Sequence, residues 1–267
     1  MPANPVDLGI DAYSPNEVAQ RVLASGIAKA RLGFIQVLML AVLAGAFIAL
    51  GGAFYTLTVT GSELGFGITR FLGGIAFSLG LILVVIGGAE LFTGNNLIVM
   101  AWASREVTHR ELLRNWLIVY IGNFIGAIGT AVMINLSGVL SMGDGAVAET
   151  AINIANAKLA LPWQTAFFRA ILCNTLVCLA VWICFAAHSV SGKILAIIFP
   201  ISAFVALGFE HSVANMYMIP VAFFEGSATV TIGGFLANLL VVTIGNIIGG
   251  SALVALVYWL IYLRKSP

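Results

Sequence analysis

Charge is scarce in this sequence. Only 9% of its 267 residues are Asp, Glu, Lys or Arg, where a soluble domain carries about 25%. The formal net charge is +1, and the basic residues lie in short connections rather than in patches, so there is no electrostatic footprint for nucleic acid. Histidine and cysteine are equally sparse, at 3 each. Cys173, Cys178 and Cys184 share one apolar stretch, where a helix spreads them along its length and leaves them unpaired, so they reveal nothing of redox compartment. His211 is the one histidine inside an apolar run, and HExxH is missing. An intramembrane hydrolase using His211 and Glu210 around a metal therefore falls short of the three or four ligands a zinc site wants. We expect no enzyme, no metal and no cofactor.

Apolar residues are what the chain has in excess. They make up 61% of it, with a mean hydropathy of +1.06, against 45 to 50% in ordinary soluble domains. This is the composition of an integral membrane protein. A hydrocarbon core about 30 Å thick needs roughly 20 apolar residues per helix. Four runs meet that requirement: Leu32 to Leu57, Trp116 to Leu136, Ala166 to Ala187, and Ile232 to Leu263. Two more are interrupted. Phe71 to Gly88 meets AELFTGNN (Ala89 to Asn96) and resumes through Trp102; Ile194 to Phe209 meets the Glu210 cluster and resumes through Phe224. Each fragment is short for a crossing, so each interrupted run reads as one broken span, giving an all-α protein of six spans with breaks in spans 2 and 5.

Lys and Arg favour one side of these spans: Arg21, Lys29 and Arg31, then Arg105, Arg110 and Arg114, then Lys193, then Arg264 and Lys265. The other side has Arg70, Lys158 and Arg169. The positive-inside rule places both termini in the cytoplasm. The sequence divides into an N-terminal segment (1–31), a channel domain (32–263) and a short tail (264–267). The first apolar run is too long for a signal-peptide core, so the segment before Leu32 reads as retained, with an amphipathic helix (Val18, Val22, Leu23, Ile27) lying on the cytoplasmic surface.

The chain also repeats itself. NWLIVYIGNFIGA (Asn115 to Ala127) matches NLLVVTIGNIIGG (Asn238 to Gly250) at eight of thirteen positions. The breaks align similarly, pairing Glu90 with Glu210 and Asn95 with Asn215. With three spans in each repeat (about 32–136 and 166–263), the second must insert upside down relative to the first. Inverted repeats with one broken helix each put a binding site near the midplane where the breaks meet. Those breaks must face protein or a watery path, because lipid cannot satisfy open backbone. The small residues of IGNxIG let helices approach closely around that path.

AELFTGNN, CNTLVCLAVW (Cys173 to Trp182) and FVALGFEHSVANMYMIP (Phe204 to Pro220) resemble the signature segments of the formate/nitrite transporter family. The resemblance runs from Lys29 through the last span. It implies an aquaporin-like fold, a homopentamer with a pore in every protomer in the inner membrane, and passage of small monovalent anions. Formate is the first expectation, with nitrite and then hydrosulfide behind it. Matched by position, His211 is the family's central pore histidine, Thr93 the threonine of the span 2 break and Asn174 the asparagine of span 4. Phe77, Leu81 and Phe204 correspond to one apolar constriction and Leu91, Phe92 and Val177 to the other. Lys158 corresponds to a vestibule lysine that draws anions inward. A neutral-solute channel of aquaporin type is the rival reading, but its two Asn-Pro-Ala motifs are missing from the sequence.

The residues themselves add physical reasons. An ionisable group inside a span is costly and marks function by default, and imidazole titrates near neutrality, so His211 can donate to an anion or hand it a proton. Glu90 and Glu210 hold equivalent places, which favours a shared structural role in capping the amides that a half-helix leaves open. Direct proton supply is the alternative. Asn95 and Asn215 read the same way, satisfying freed backbone groups. Thr93 can donate to an anion or bond its own turn, and Lys158 can attract anions or snorkel. His109 and His188 read as solvated.

Overall fold

The computed structural model describes residues 12–264. The ends of the expected N-terminal segment and tail, 1–11 and 265–267, lie outside the described residues.

The molecule is helical throughout, and the described residues form no named strand. Helix α1 (Pro15–Ala30) starts at a capping box: the Ser14 hydroxyl accepts the Glu17 amide, and the Glu17 carboxylate accepts the Ser14 amide. Proline at the first helical position fits this start, since its missing N–H has no helical partner there anyway. Then come α2 (Phe34–Val59) and α3 (Phe66–Gly87), followed by an irregular stretch, a 3-10 turn (Gly94–Ile98) and α4 (Val99–Ala103). Helix α5 (His109–Leu136) begins at a second capping box, Thr108 with Glu111. A shorter helix, α6 (Ala146–Leu159), precedes α7 (Trp163–Ala186). The next run divides into α8 (Val190–Ala206), α9 (Ser212–Met218) and α10 (Pro220–Phe224). Last, α11 (Ile232–Ile247) continues through a π-helical stretch (Ile248–Leu256) into α12 (Val257–Tyr262).

Five stretches are long and apolar enough to cross a membrane: α2, α3, α5, α7, and Ile232–Tyr262 taken whole. The protein is thus a multi-pass membrane protein. One expectation changes here. By sequence the first fragment of the interrupted span 2 is short for a crossing, yet α3 starts at Phe66 and runs 22 residues, about 33 Å at the helical rise. FGIT, just before Arg70, extends it.

The helices meet through small residues. On α5, Gly122 and Gly126 press against α2, where a methyl added to Gly126 would collide with the Val42 carbonyl. On α11 and its π extension, Gly245 and Gly249 press against α7, where a methyl on Gly249 would strike the Ile171 carbonyl. Close backbone approach of this kind supplies the dispersion contacts that hold helices together where lipid offers no hydrophobic drive.

Helix α1 differs from the expected surface helix. Its apolar side is turned onto protein: Val18, Ala19 and Val22 are buried with Leu97, Ile98, Met100 and Trp182, and Leu23 and Ile27 pack at the edge of that cluster. Just ahead of it the Tyr13 amide donates to the Ala186 carbonyl (3.0 Å), and the Tyr13 ring meets His188 edge-on at 4.1 Å. His188 is exposed, as the sequence suggests, and its ring also meets Tyr13.

Candidate functional site

Both interrupted runs break at a glycine in the left-handed region, Gly88 (φ 77°) after α3 and Gly208 (φ 70°) after α8. Only glycine takes such a φ without strain. Beyond each glycine the chain leaves the helix and exposes amides and carbonyls that cannot stay open inside a membrane. A single asparagine satisfies them in each case. Asn123 on α5 accepts the Phe92 amide (2.9 Å) and donates to the carbonyls of Glu90 (2.9 Å) and Ala41 (2.8 Å). Asn246 on α11 accepts the Ser212 amide (2.9 Å) and donates to the carbonyls of Glu210 (2.9 Å) and Ala170 (2.8 Å). These are the asparagines of the two IGNxIG motifs, which sequence reasoning credited only with close packing. Their repetition within a repeated motif was the available signal.

Glu90 and Glu210 do not cap helices. Glu90 pairs with Lys29 (2.9 Å) and accepts from Asn95 (2.7 Å), which also donates to Asn115 (3.0 Å); Asn115 in turn donates to the Lys29 carbonyl (3.1 Å). Glu210 pairs with Lys158 (3.0 Å) and accepts from Asn215 (2.7 Å), which donates to Asn238 (2.8 Å); Asn238 reaches the Lys158 carbonyl (3.4 Å). The same lysine, glutamate and two asparagines are thus assembled twice. A buried carboxylate needs this kind of pairing and bonding to stay charged. Asn95 and Asn215 serve the carboxylates rather than free backbone groups. The sets differ at one atom: Lys29 also donates to Asn95 Oδ1 (3.1 Å), whereas Asn215 Oδ1 is buried with no partner among the described residues.

The helix cap at the second break comes from His211. Its Nδ1 accepts the Ala214 amide (3.0 Å), and its Nε2 lies 3.0 Å from the Thr93 hydroxyl. Accepting at Nδ1 assigns the proton of the neutral ring to Nε2, so the ring aims an N–H at the neighbouring break. The ring also stacks on Phe204 (centroids 6.0 Å apart), which meets Phe77 edge-on at 5.6 Å.

Three cavities adjoin through shared walls, and His211 lines two of them. One of about 150 Å³ is lined by Lys158, Glu210, Arg70, Arg169, Phe77 and Phe204 along with His211 itself. Another of about 220 Å³ is lined by Lys29, Glu90, Asn95, Leu81 and Leu91, with Val22, Ser25 and Gly26 of α1 along its edge. Between them sits a void of about 10 Å³ walled by Phe77, Phe204, Leu81, Leu91, Val177, Ile48, Ile201 and His211. Phe77 and Phe204 are shared with the first cavity, Leu81 and Leu91 with the second. The void is about the size of one water probe, so both apolar walls are shut in this conformation. Ile48 and Ile201 were missed because nothing separates them from packing residues in sequence.

Three expected residues do not line the void: Asn174 and Thr93 of the pathway and Phe92 of the constriction. The amide of Asn174 faces three acceptors, the Asn246 carbonyl (2.7 Å), Asn96 Oδ1 (2.8 Å) and the Thr93 carbonyl (3.3 Å). An amide nitrogen carries two hydrogens, so Asn174 has none left over for a ligand. Phe92 meets Tyr120 and Trp116 edge-on and is not part of the void wall. Thr93 is fully buried, at 0% exposure, and reaches the void only through His211.

Among the described residues no group of three His, Cys, Asp or Glu side chains gathers as a metal site. What the arrangement offers is one imidazole N–H, held by the Thr93 hydroxyl, at the apolar walls, with a lysine-bearing cavity on either side.

Comparison with known proteins gives the family. Residues 16–260 match the family model described as formate/nitrite transporter. The chain is 39% identical to the formate channel FocA of Escherichia coli (strain K12), covering 98% of each chain. It is 40% identical to a probable formate transporter of Methanothermobacter thermautotrophicus, covering 97% of this chain and 100% of that one. A solved structure of a pentameric formate channel with formate bound superposes with a TM-score of 0.80 at 40% identity, over 86% of this chain and 98% of the other. The chain belongs to the formate/nitrite transporter family.

Proposed function

We propose that this protein is a formate channel in which the anion passes from one lysine-bearing cavity to the other through the void at His211. The observation that carries the reading is the placement of His211, the only ionisable side chain on the wall of a void closed by Phe77 and Phe204 on one side and Leu81 and Leu91 on the other. Apolar rings impose a dehydration barrier on an ion. The His211 N–H, oriented by the Ala214 amide and held by Thr93 in the closed pore, exchanges the Thr93 hydroxyl for the anion and so replaces part of the lost water. Phe77, Leu81, Leu91, Val177 and Phe204 act as the rings, and widening them for an anion requires side-chain motion. Formic acid is weak, so an anion that takes a proton near His211 crosses the second ring neutral. Nitrite and hydrosulfide are the next candidates, being small monovalent anions of weak acids too.

The assembly follows from the same likenesses. The relative with bound formate is a pentamer, and this chain is proposed to form one, with a pore per protomer. The repeated lysine, glutamate and asparagine sets support six spans in two inverted repeats with an aquaporin-like arrangement, spans 2 and 5 being broken at Gly88 and Gly208. The charge distribution supports cytoplasmic termini and the family likeness supports the inner membrane; in that orientation the Lys158 cavity opens outward and Lys158 serves as its anion attractor.

Formate flux into proteoliposomes, alongside currents for nitrite, acetate, chloride and hydrosulfide at two pH values, tests the reading. His211→Phe is expected to abolish formate flux while the pentamer survives in detergent. Flux at the wild-type level in that variant would overturn it.

A further inference from the structure

The two cavities are unequal in charge. The Lys158 cavity is lined by Lys158, Arg70 and Arg169 against the single carboxylate Glu210, a formal excess of two positive charges. Among the described residues the Lys29 cavity is lined by two charged side chains, Lys29 and Glu90, which cancel. The matched sets thus diverge where the arginines stand. Arg169 occupies the place of Leu40 in the other half: the Glu210 amide donates to the Arg169 carbonyl as the Glu90 amide does to that of Leu40.

The two guanidiniums converge on one backbone position. A Cβ built on Gly208 would lie 3.0 Å from Arg70 Nη2 and 3.6 Å from Arg169 Nη1. Neither arginine has a carboxylate, for the ion pairs among the described residues are Lys29–Glu90, Arg31–Glu111 and Lys158–Glu210. What holds them is the carbonyl end of α8. Arg70 donates from Nε to Ala206 (2.6 Å) and from Nη2 to Val205 (2.8 Å), and Arg169 donates from Nη1 to Gly208 (3.3 Å). Partial negative charge at a helix C-terminus accounts for this much. It leaves Nη1 of Arg70, whose guanidinium also lies 5.5 Å from the Phe66 ring centroid, and both Nε and Nη2 of Arg169 with no hydrogen-bond partner among the described residues, and both arginines line the cavity. Two cations held close together without a counter-charge repel each other, and an anion between them relieves that cost.

We infer that Arg70 and Arg169 form a loading site for a planar two-oxygen anion, formate or nitrite, on the Lys158 side only. The inference rests on the channel reading above and adds a chemical preference to it. A guanidinium presents parallel N–H groups that match two oxygens of one anion, whereas a lysine acts as a point charge. Chloride or hydrosulfide offers a single atom and gains only the charge. The site concentrates carboxylate-type anions at one mouth and makes permeation depend on the side of approach.

The test is current through reconstituted protein in planar bilayers, with anion applied to one side at a time and orientation read from side-specific cleavage of a C-terminal tag. Arg169 is the residue to vary, because Arg70 makes two bonds to α8 and its loss risks the fold. Wild-type protein is expected to half-saturate at lower formate from the Arg169 side than from the Lys29 side. Arg169→Lys is expected to raise that concentration about threefold or more for formate and nitrite and leave hydrosulfide unmoved; Arg169→Gln is expected to raise all three, as loss of local charge weakens anion capture. The inference is overturned if Arg169→Lys shifts both sides alike, shifts hydrosulfide as much as formate, or shifts nothing. A wild type that conducts nitrite but not formate sinks the formate reading alone, since the arginine comparison then runs with nitrite. A wild type that conducts neither sinks both.

Discussion

At Asn123 and Asn246 a single side chain bonds an amide and a carbonyl that the broken span leaves open, and ties them to a neighbouring helix. Each joins one amide and two carbonyls from two other segments, and each is fully buried. An orphaned buried polar group costs about 1 to 3 kcal/mol, so Asn246→Leu, which orphans the Ser212 amide and the Glu210 carbonyl, is expected to destabilise by about 2 kcal/mol or more. Thermal dissociation of the detergent-solubilised oligomer reads this, and a melting point within a degree of wild type would refute it. Thr93→Val probes a different role. It keeps the shape and removes the hydroxyl that meets His211 Nε2, so formate flux is expected to fall several-fold with oligomer stability nearly unchanged. His211 was visible in the sequence because a titratable group in an apolar run is expensive. Asn246 was not, because an asparagine in a helix gives no sign of the loop 34 residues away that it satisfies.

Among the elements, α1 and the glycine-packed pairs give the clearest tests. Ser14→Ala removes the cap of α1 at a cost of about 1 kcal/mol and is expected to speed amide exchange in 16–30 while α5 stays protected. The bonds from the Ser14 hydroxyl and amide hold the Glu17 carboxyl below its ordinary range. A depressed carboxylate stabilises above its unfolded value and loses that contribution as pH falls through its folded one, so protection of α1 is expected to decline in acid ahead of the bundle. Gly126→Val and Gly249→Val push a side chain into a facing carbonyl, and both are expected to prevent assembly, scored by the yield of oligomer. The long spans were legible from apolar length alone. The early start of α3, helix α6 and the π stretch at Ile248–Leu256 were not, since a loop-length segment and a change of helical pitch leave no mark on hydropathy.

Over the whole molecule, two lysines reach the two buried glutamates from α1 and α6, elements outside the apolar runs. Removing one partner of a buried pair strands the other, at roughly 3 kcal/mol or more. Lys158→Met is expected to destabilise more than Lys29→Met, because the Lys158 side chain is 14% exposed and that of Lys29 31%. Adding Glu210→Gln to Lys158→Met is expected to recover most of the loss in thermal unfolding; no recovery would mean the lysine matters through packing alone. The sequence by itself determined the membrane class, the two breaks, the internal repetition and the importance of His211, because burial cost and apolar length are properties of single residues and runs. Which side chains face the void, and which asparagines, lysines and arginines close the breaks and line the mouths, only the tertiary structure decided. Those roles depend on distances between segments far apart in the chain, and an apolar or polar residue reads the same in sequence whether it faces a pore, a neighbour or lipid.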